Sequence, residues 1–98
     1  MAVGDIVNGI NTTDGVGYFT FQPTSGVGII ITYASPTYTG GQIQIFNGTQ
    51  YVSQEISTSR AWNQFNIKMG INNTNYLRIY NTAADVGNSS GYSGIQTE

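Results

Sequence analysis

The sequence predicts an all-β fold: a small antiparallel β-sandwich or jelly-roll-like barrel of about seven or eight short strands. Three observations predict it. Runs of β-branched and aromatic residues recur at roughly 8–12-residue spacing. Gly, Asn, Thr and Ser fill the connections between them. No segment carries an amphipathic helical period, and the only prolines, Pro23 and Pro36, both fall in connections.

Residues 3–7 read as a short edge strand, and Asn8 to Asp14 as a loop. Gly15 to Gln22 is the first strong strand, with Phe19 and Phe21 on one face and Tyr18 and Thr20 on the other. Pro23-Thr24-Ser25-Gly26 supplies a turn. Val27 to Tyr33 is an almost continuous apolar run, the pattern of a strand covered on both faces. The stretches Asp14-Gly-Val-Gly-Tyr-Phe and Ser25-Gly-Val-Gly-Ile-Ile echo each other. Repeat units normally span at least ~20 residues, so the echo reads as two strands of one hairpin. Ala34 to Gly40 is a loop carrying Tyr38.

Gln42 to Phe46 alternates with Ile43 and Ile45 inward. Asn47-Gly48 is a hairpin signal, because both residues tolerate positive φ. The chain returns as Tyr51 to Ile56, with Tyr51, Ser53 and Glu55 on one face and Val52, Gln54 and Ile56 on the other. Phe65, Ile67, Met69 and Ile71 alternate with Asn66, Lys68 and Gly70, the clearest half-buried strand. A polar turn follows at Asn72 to Asn75. Tyr76 to Tyr80 then places Leu77 and Ile79 inward and Arg78 outward. Residues 82–98 read as a polar tail that either ends in a strand at Tyr92 to Gln96 or orders on a neighbour. The whole chain, 1–98, forms one domain, with 1–14 as its N-terminal segment and loop.

The composition bounds the chemistry. The chain has no His and no Cys, and its charged side chains are three basic and five acidic in 98 residues. General acid–base, nucleophilic and metal-assisted catalysis draw on those residue types, so the sequence points to a non-enzyme with no cofactor and no metal. With 39% hydrophobic and 8% charged residues the chain is not of the disordered class. Its longest apolar run, Ile29-Ile30-Ile31, is far short of a membrane span. The start, Ala2-Val-Gly-Asp-Ile-Val7, does not resemble a signal peptide. A net charge of −2 argues against nucleic acid and anionic membranes as partners. A core this small, without disulfides, gains from oligomerisation or docking.

Individual motifs have plain readings. Asp14-Gly15 with Asn11 lacks the spacing of a calcium loop and reads as a turn. Gly15-Val16-Gly17 and Gly26-Val27-Gly28 lack the strand-to-helix setting of a phosphate loop. Asp5, Asp14, Glu55 and Asp85 supply a glycosidase pair only by count, and Glu55 has Lys68 or Arg78 as a cross-sheet ion-pair partner. The glycosylation-like Asn11, Asn47, Asn72 and Asn88 triplets are chance matches in so Asn- and Thr-rich a chain. Trp62, with Tyr33, Tyr38, Tyr51 and Tyr92, offers either a sugar-stacking platform or protein-interface anchors, and Trp62 alone also suits a core plug.

One resemblance covers most of the chain. Gly4-Asp5-Ile6-Val7-Asn8-Gly9, then Gly17-Tyr-Phe-Thr-Phe-Gln-Pro-Thr-Ser-Gly-Val27, Ile45-Phe-Asn-Gly48 and Asn75-Tyr-Leu-Arg-Ile-Tyr-Asn81 together resemble small tailed-bacteriophage head decoration, or cement, proteins. Similar strands occur in tail-fibre domains and carbohydrate-binding jelly rolls. The resemblance implies a virion protein that passes through the host cytoplasm and then clamps the outer capsid surface, often as a homotrimer. Its implied partners are the major capsid protein and copies of itself. The residues expected to make those contacts are Val3, Ile6, Val7, Tyr38, Trp62, Tyr92 and Ile95. The alternatives are a tail-fibre or appendage domain and a carbohydrate-binding module whose partner is a glycan.

Overall fold

Local turn chemistry and aliphatic alternation build the strands. The computed structural model describes residues 2–10, 17–36, 41–56, 65–81 and 90–98, with the side chains of 54–56, 65 and 66 set aside. The described residues form eight strands: β1 (Ile6–Ile10), β2 (Gly17–Phe21), β3 (Ile29–Ser35), β4 (Gln42–Phe46), β5 (Tyr51–Ile56), β6 (Phe65–Ile71), β7 (Tyr76–Asn81) and β8 (Gly91–Gln96).

Two turns are led by asparagine: one closes the β4–β5 hairpin and the other carries the chain from β6 in one sheet to β7 in the other. Between β4 and β5 the Asn47 side-chain oxygen accepts the amides of Thr49 (2.9 Å) and Gln50 (2.7 Å), and the Asn47 amide donates to the Gln50 carbonyl. Gly48 follows at φ 95°, where a side chain would be strained. Between β6 and β7, Asn72 repeats the device with Thr74 and Asn75, both at 2.9 Å. A short side chain that satisfies its own following amides is what makes Asn a turn residue.

The pairings run β4 with β5, β3 with β6, β2 with β7 and β1 with β8. The chain is thus doubled back on itself about the Asn47 turn. The doubled ribbon is rolled, so that β8 also lies beside β3 and β7 beside β4. The result is two four-stranded antiparallel sheets, ordered β1-β8-β3-β6 and β2-β7-β4-β5. This is the connectivity of an eight-stranded jelly roll.

The inner faces meet in one apolar cluster. The first sheet contributes Val7, Ile29, Ile31, Ala34, Met69, Ile71 and Tyr92, and the second Ile43, Leu77 and Ile79. Phe19, Phe21, Val27, Ile45 and Ile67 pack around it. Tyr92 stacks on Phe21 with centroids 4.6 Å apart and leans on Phe19 at 5.9 Å.

Several expectations change. The edge strand is Ile6–Ile10, not 3–7, because the Asp5 amide and carboxylate both close a turn on Ala2. Asn8, Gly9 and Ile10 therefore belong to a strand. The strands that carry the two echoing stretches do not form a hairpin: β2 and β3 lie in different sheets. The connection through buried Pro23 crosses between sheets instead, and a packed pair of sheets is ~10 Å apart. β3 is buried on its inner face only, with Ile30 half-buried and Thr32 exposed, and it extends through Ala34 to Ser35. A register irregularity between Ile31 and Tyr33 separates those two stretches. Of the two C-terminal readings the strand is the one found: β8, Gly91–Gln96, sits between β1 and β3, while 82–89 lie outside the described residues. A second bulge lies opposite Ile43 and Gln44, so Glu55 pairs with Ile43 and simple alternation along β5 stops after Ser53.

Candidate binding faces on the two sheets

Each sheet turns one face to the core and one outward, and the two outward faces differ in chemistry. On the first sheet, register places Ile6 opposite Ile95 and Ile95 opposite Ile30. These three isoleucines form an aliphatic row across β1, β8 and β3. Ile6 is 74% exposed and Ile95 45%. Ile10 on β1 and Val3 in the preceding turn are also exposed. Large exposed aliphatics that share one face mark an interaction surface more than scattered single ones do. Among the described strands β1 is also an edge, paired on one side only.

The residues expected to meet a partner are therefore divided. Val3, Ile6 and Ile95 are exposed, and the fold brings Ile6 and Ile95 directly together. Val7 and Tyr92 are both 8% exposed and belong to the core, so neither faces a partner. The alternation of β1 turns Val7 inward, and the Tyr92 ring is claimed by Phe19 and Phe21. Burial also raises the Tyr92 pKa above its ordinary value of 10.0, because the phenolate is poorly solvated there. Tyr38 and Trp62 lie outside the described residues, as do Asn11, Asp14, Asp85 and Asn88.

The aromatic platform expected from Trp62, Tyr33, Tyr38, Tyr51 and Tyr92 is not assembled from its described members. Tyr33 is on β3 of the first sheet, Tyr92 is core, and Tyr51 is on β5 of the second sheet. A different set converges on the second sheet's outer face. Register there gives Tyr18 and Thr20 on β2, Tyr76, Arg78 and Tyr80 on β7, Gln42, Gln44 and Phe46 on β4, and Tyr51 and Ser53 on β5. None is aliphatic.

Arg78 is the centre of this face. Its guanidinium carbon lies 3.8 Å from the Phe46 ring centroid, 4.0 Å from Tyr18 and 4.9 Å from Tyr51. All three are within cation–π range. Tyr18 rests against Tyr80 at 5.0 Å, and Phe46 meets Tyr76 edge-on at 5.7 Å. The Arg78 Nε donates to Gln44 Oε1 at 2.7 Å. Gln44 Nε2 donates to Gln42 Oε1 at 2.8 Å, and Ser53 Oγ donates to that same oxygen at 2.7 Å. This polar ladder runs from β7 across β4 to β5 and fixes the long Arg side chain.

The expected pairing of Glu55 with Arg78 or Lys68 rests on a side chain outside those described. Arg78 is held by Gln44 and three rings, while Lys68 is on β6, in the opposite sheet. The signal for the platform was present in the sequence. Tyr76, Arg78 and Tyr80 share one strand phase, as do Gln42, Gln44 and Phe46, opposite the aliphatic phase. What sequence could not supply was the β4–β7 register that joins them.

Among the described residues no group of three His, Cys, Asp or Glu is placed to hold a metal ion. No family model, curated protein or solved structure matches the chain, so its own residues carry the functional reading.

Proposed function

We propose that this chain is a non-enzymatic virion structural protein that binds the outer surface of a phage capsid, as a homotrimer, and stabilises the assembled lattice. The observation that carries the reading is the exposed aliphatic row Ile6–Ile95–Ile30, which includes β1, an edge among the described strands. That face has no described role inside the domain. Covering it removes apolar surface from water at about 25 cal/mol per Å², and few charges need be desolvated with it. The resemblance to head decoration proteins supplies the kind of partner.

The mechanism is linkage. A protein that binds the assembled lattice and not the free subunits shifts the equilibrium toward the lattice by mass action. Modest binding at each site is multiplied over many copies. The test is co-sedimentation of the purified protein with mature, expanded heads, followed by heating. Saturable binding that raises the temperature of genome release supports the reading. Binding to purified tails and not to heads would transfer the protein to an appendage.

A further inference from the structure

We infer that the outer face of the second sheet is a binding site for a carboxylate-bearing saccharide, with Arg78 as its anchor. The inference is independent of capsid docking, because it concerns the opposite outer face of the sandwich.

The guanidinium is half-buried, held at Nε by Gln44 and flanked by rings. Its terminal N–H groups have no partner among the described residues. A planar donor fork fixed in this way matches a carboxylate in two-point geometry. The fork is already oriented, so little side-chain freedom is lost on binding. The described side chains of this face include no carboxylate that would compete.

The surroundings select the rest of the ligand. Tyr18 and Tyr51, 58% and 53% exposed, stand on the two edge strands either side of Arg78. Gln42, Ser53 and Thr20 add amide and hydroxyl groups beside them. A sugar ring presents C–H faces that lie on aromatic rings and hydroxyls that bond to amides. A protein partner of ordinary composition is better served by the aliphatic row of the other sheet. One cation among aromatic and amide groups, with no aliphatic among the described side chains, therefore fits an acidic sugar.

The test uses the full chain and two probes: a tetrasaccharide of alternating glucuronate and N-acetylglucosamine, and the same tetrasaccharide with its carboxylates reduced to alcohols. Binding is followed by NMR titration at low salt. Saturable shifts at the Arg78 side-chain N–H and at Tyr18 and Tyr51 are expected, with the reduced probe about tenfold weaker or more. Arg78→Gln lowers affinity for the acidic probe by a similar factor. Should that variant fail to fold, Tyr18→Ala/Tyr51→Ala, at two exposed positions, also loses about tenfold. Equal binding of the two probes, or no saturable shifts at millimolar probe, overturns the inference. So does saturation by a short Glu-rich peptide when the acidic tetrasaccharide does not bind, since the site would then be a protein-docking site.

Discussion

Replacing Gly94 with alanine tests whether β8 is an interior strand of its sheet, between β1 and β3. Gly94 lies between Val7 on β1 and Ile31 on β3. A Cβ there would overlap the Ile30 carbonyl oxygen, and would stand 3.0 Å from Ile31 Cα and 3.1 Å from the Ile30 carbonyl carbon. These obstacles are backbone, so no side chain can turn aside to make room. Ordinary carbon contacts are about 3.5–4.0 Å, so β8 and β3 must move apart along a shared ladder. Overpacking of this kind costs about 1–3 kcal/mol. Reduced freedom of the unfolded chain returns about 0.4–1 kcal/mol. The net expectation for Gly94→Ala is a loss of about 1.3 kcal/mol, from a total of roughly 5–15 kcal/mol for a domain of this size. The melting temperature should fall by roughly 5–10 °C. Gly70→Ala is the control. It lies on exposed β6, where a Cβ meets nothing within 4 Å, and it should gain about 0.4–1 kcal/mol. Urea unfolding of both variants reads the two signs directly. A Gly94→Ala protein as stable as wild type, or two variants shifted the same way, would refute the placement of β8.

Other outcomes follow from single side chains. Asn47→Ala and Asn72→Ala should each lose about 1 kcal/mol in urea unfolding, because each removes the acceptor for two turn amides; Asp at either site keeps the acceptor and should recover most of that loss. Tyr92 gives a pH dependence. Its folded pKa is raised by burial, so the stability it contributes is intact below pH 10.0 and falls as pH climbs toward the folded value. The slope is at most about 1.4 kcal/mol per pH unit, and alkaline melts of Tyr92→Phe should lack this component. Ile6→Asp and Ile95→Asp, at exposed positions, should leave stability within about 0.5 kcal/mol while abolishing co-sedimentation with heads; retained binding by both would remove the aliphatic row from the interface.

The parts of the fold that sequence displayed are those with clean alternation. β4, β6 and β7 carry Ile, Met and Leu every second residue, and their faces are as the pattern predicts. The Asn47 and Asn72 turns were legible because a side chain acts on its own neighbouring amides. β8 was not fixed by pattern alone. Its sequence, Gly-Tyr-Ser-Gly-Ile-Gln, lacks strand propensity because close packing against β3 excludes a side chain at Gly94. Pairing was also hidden, since the jelly-roll ladders join residues as distant as Ile6 and Ile95. The same limit governed the candidate sites. Ile6 and Ile95 could be named as surface residues, but only register makes them neighbours. Tyr92 was assigned to the surface because nothing in its neighbourhood reveals Phe19 and Phe21 across the core. Arg78 read simply as outward, and the aromatic rings around it came from three other strands.

The central claim is that this protein acts by covering its aliphatic face on an assembled shell. Electron cryomicroscopy of heads incubated with the purified protein tests it most directly. Trimeric density is expected on the outer head surface, with the Ile6–Ile95 face against the shell or a neighbouring copy and the Arg78 face turned to solvent. Heads with no added density, or with the Arg78 face pressed to the shell and Ile6 in solvent, would contradict it.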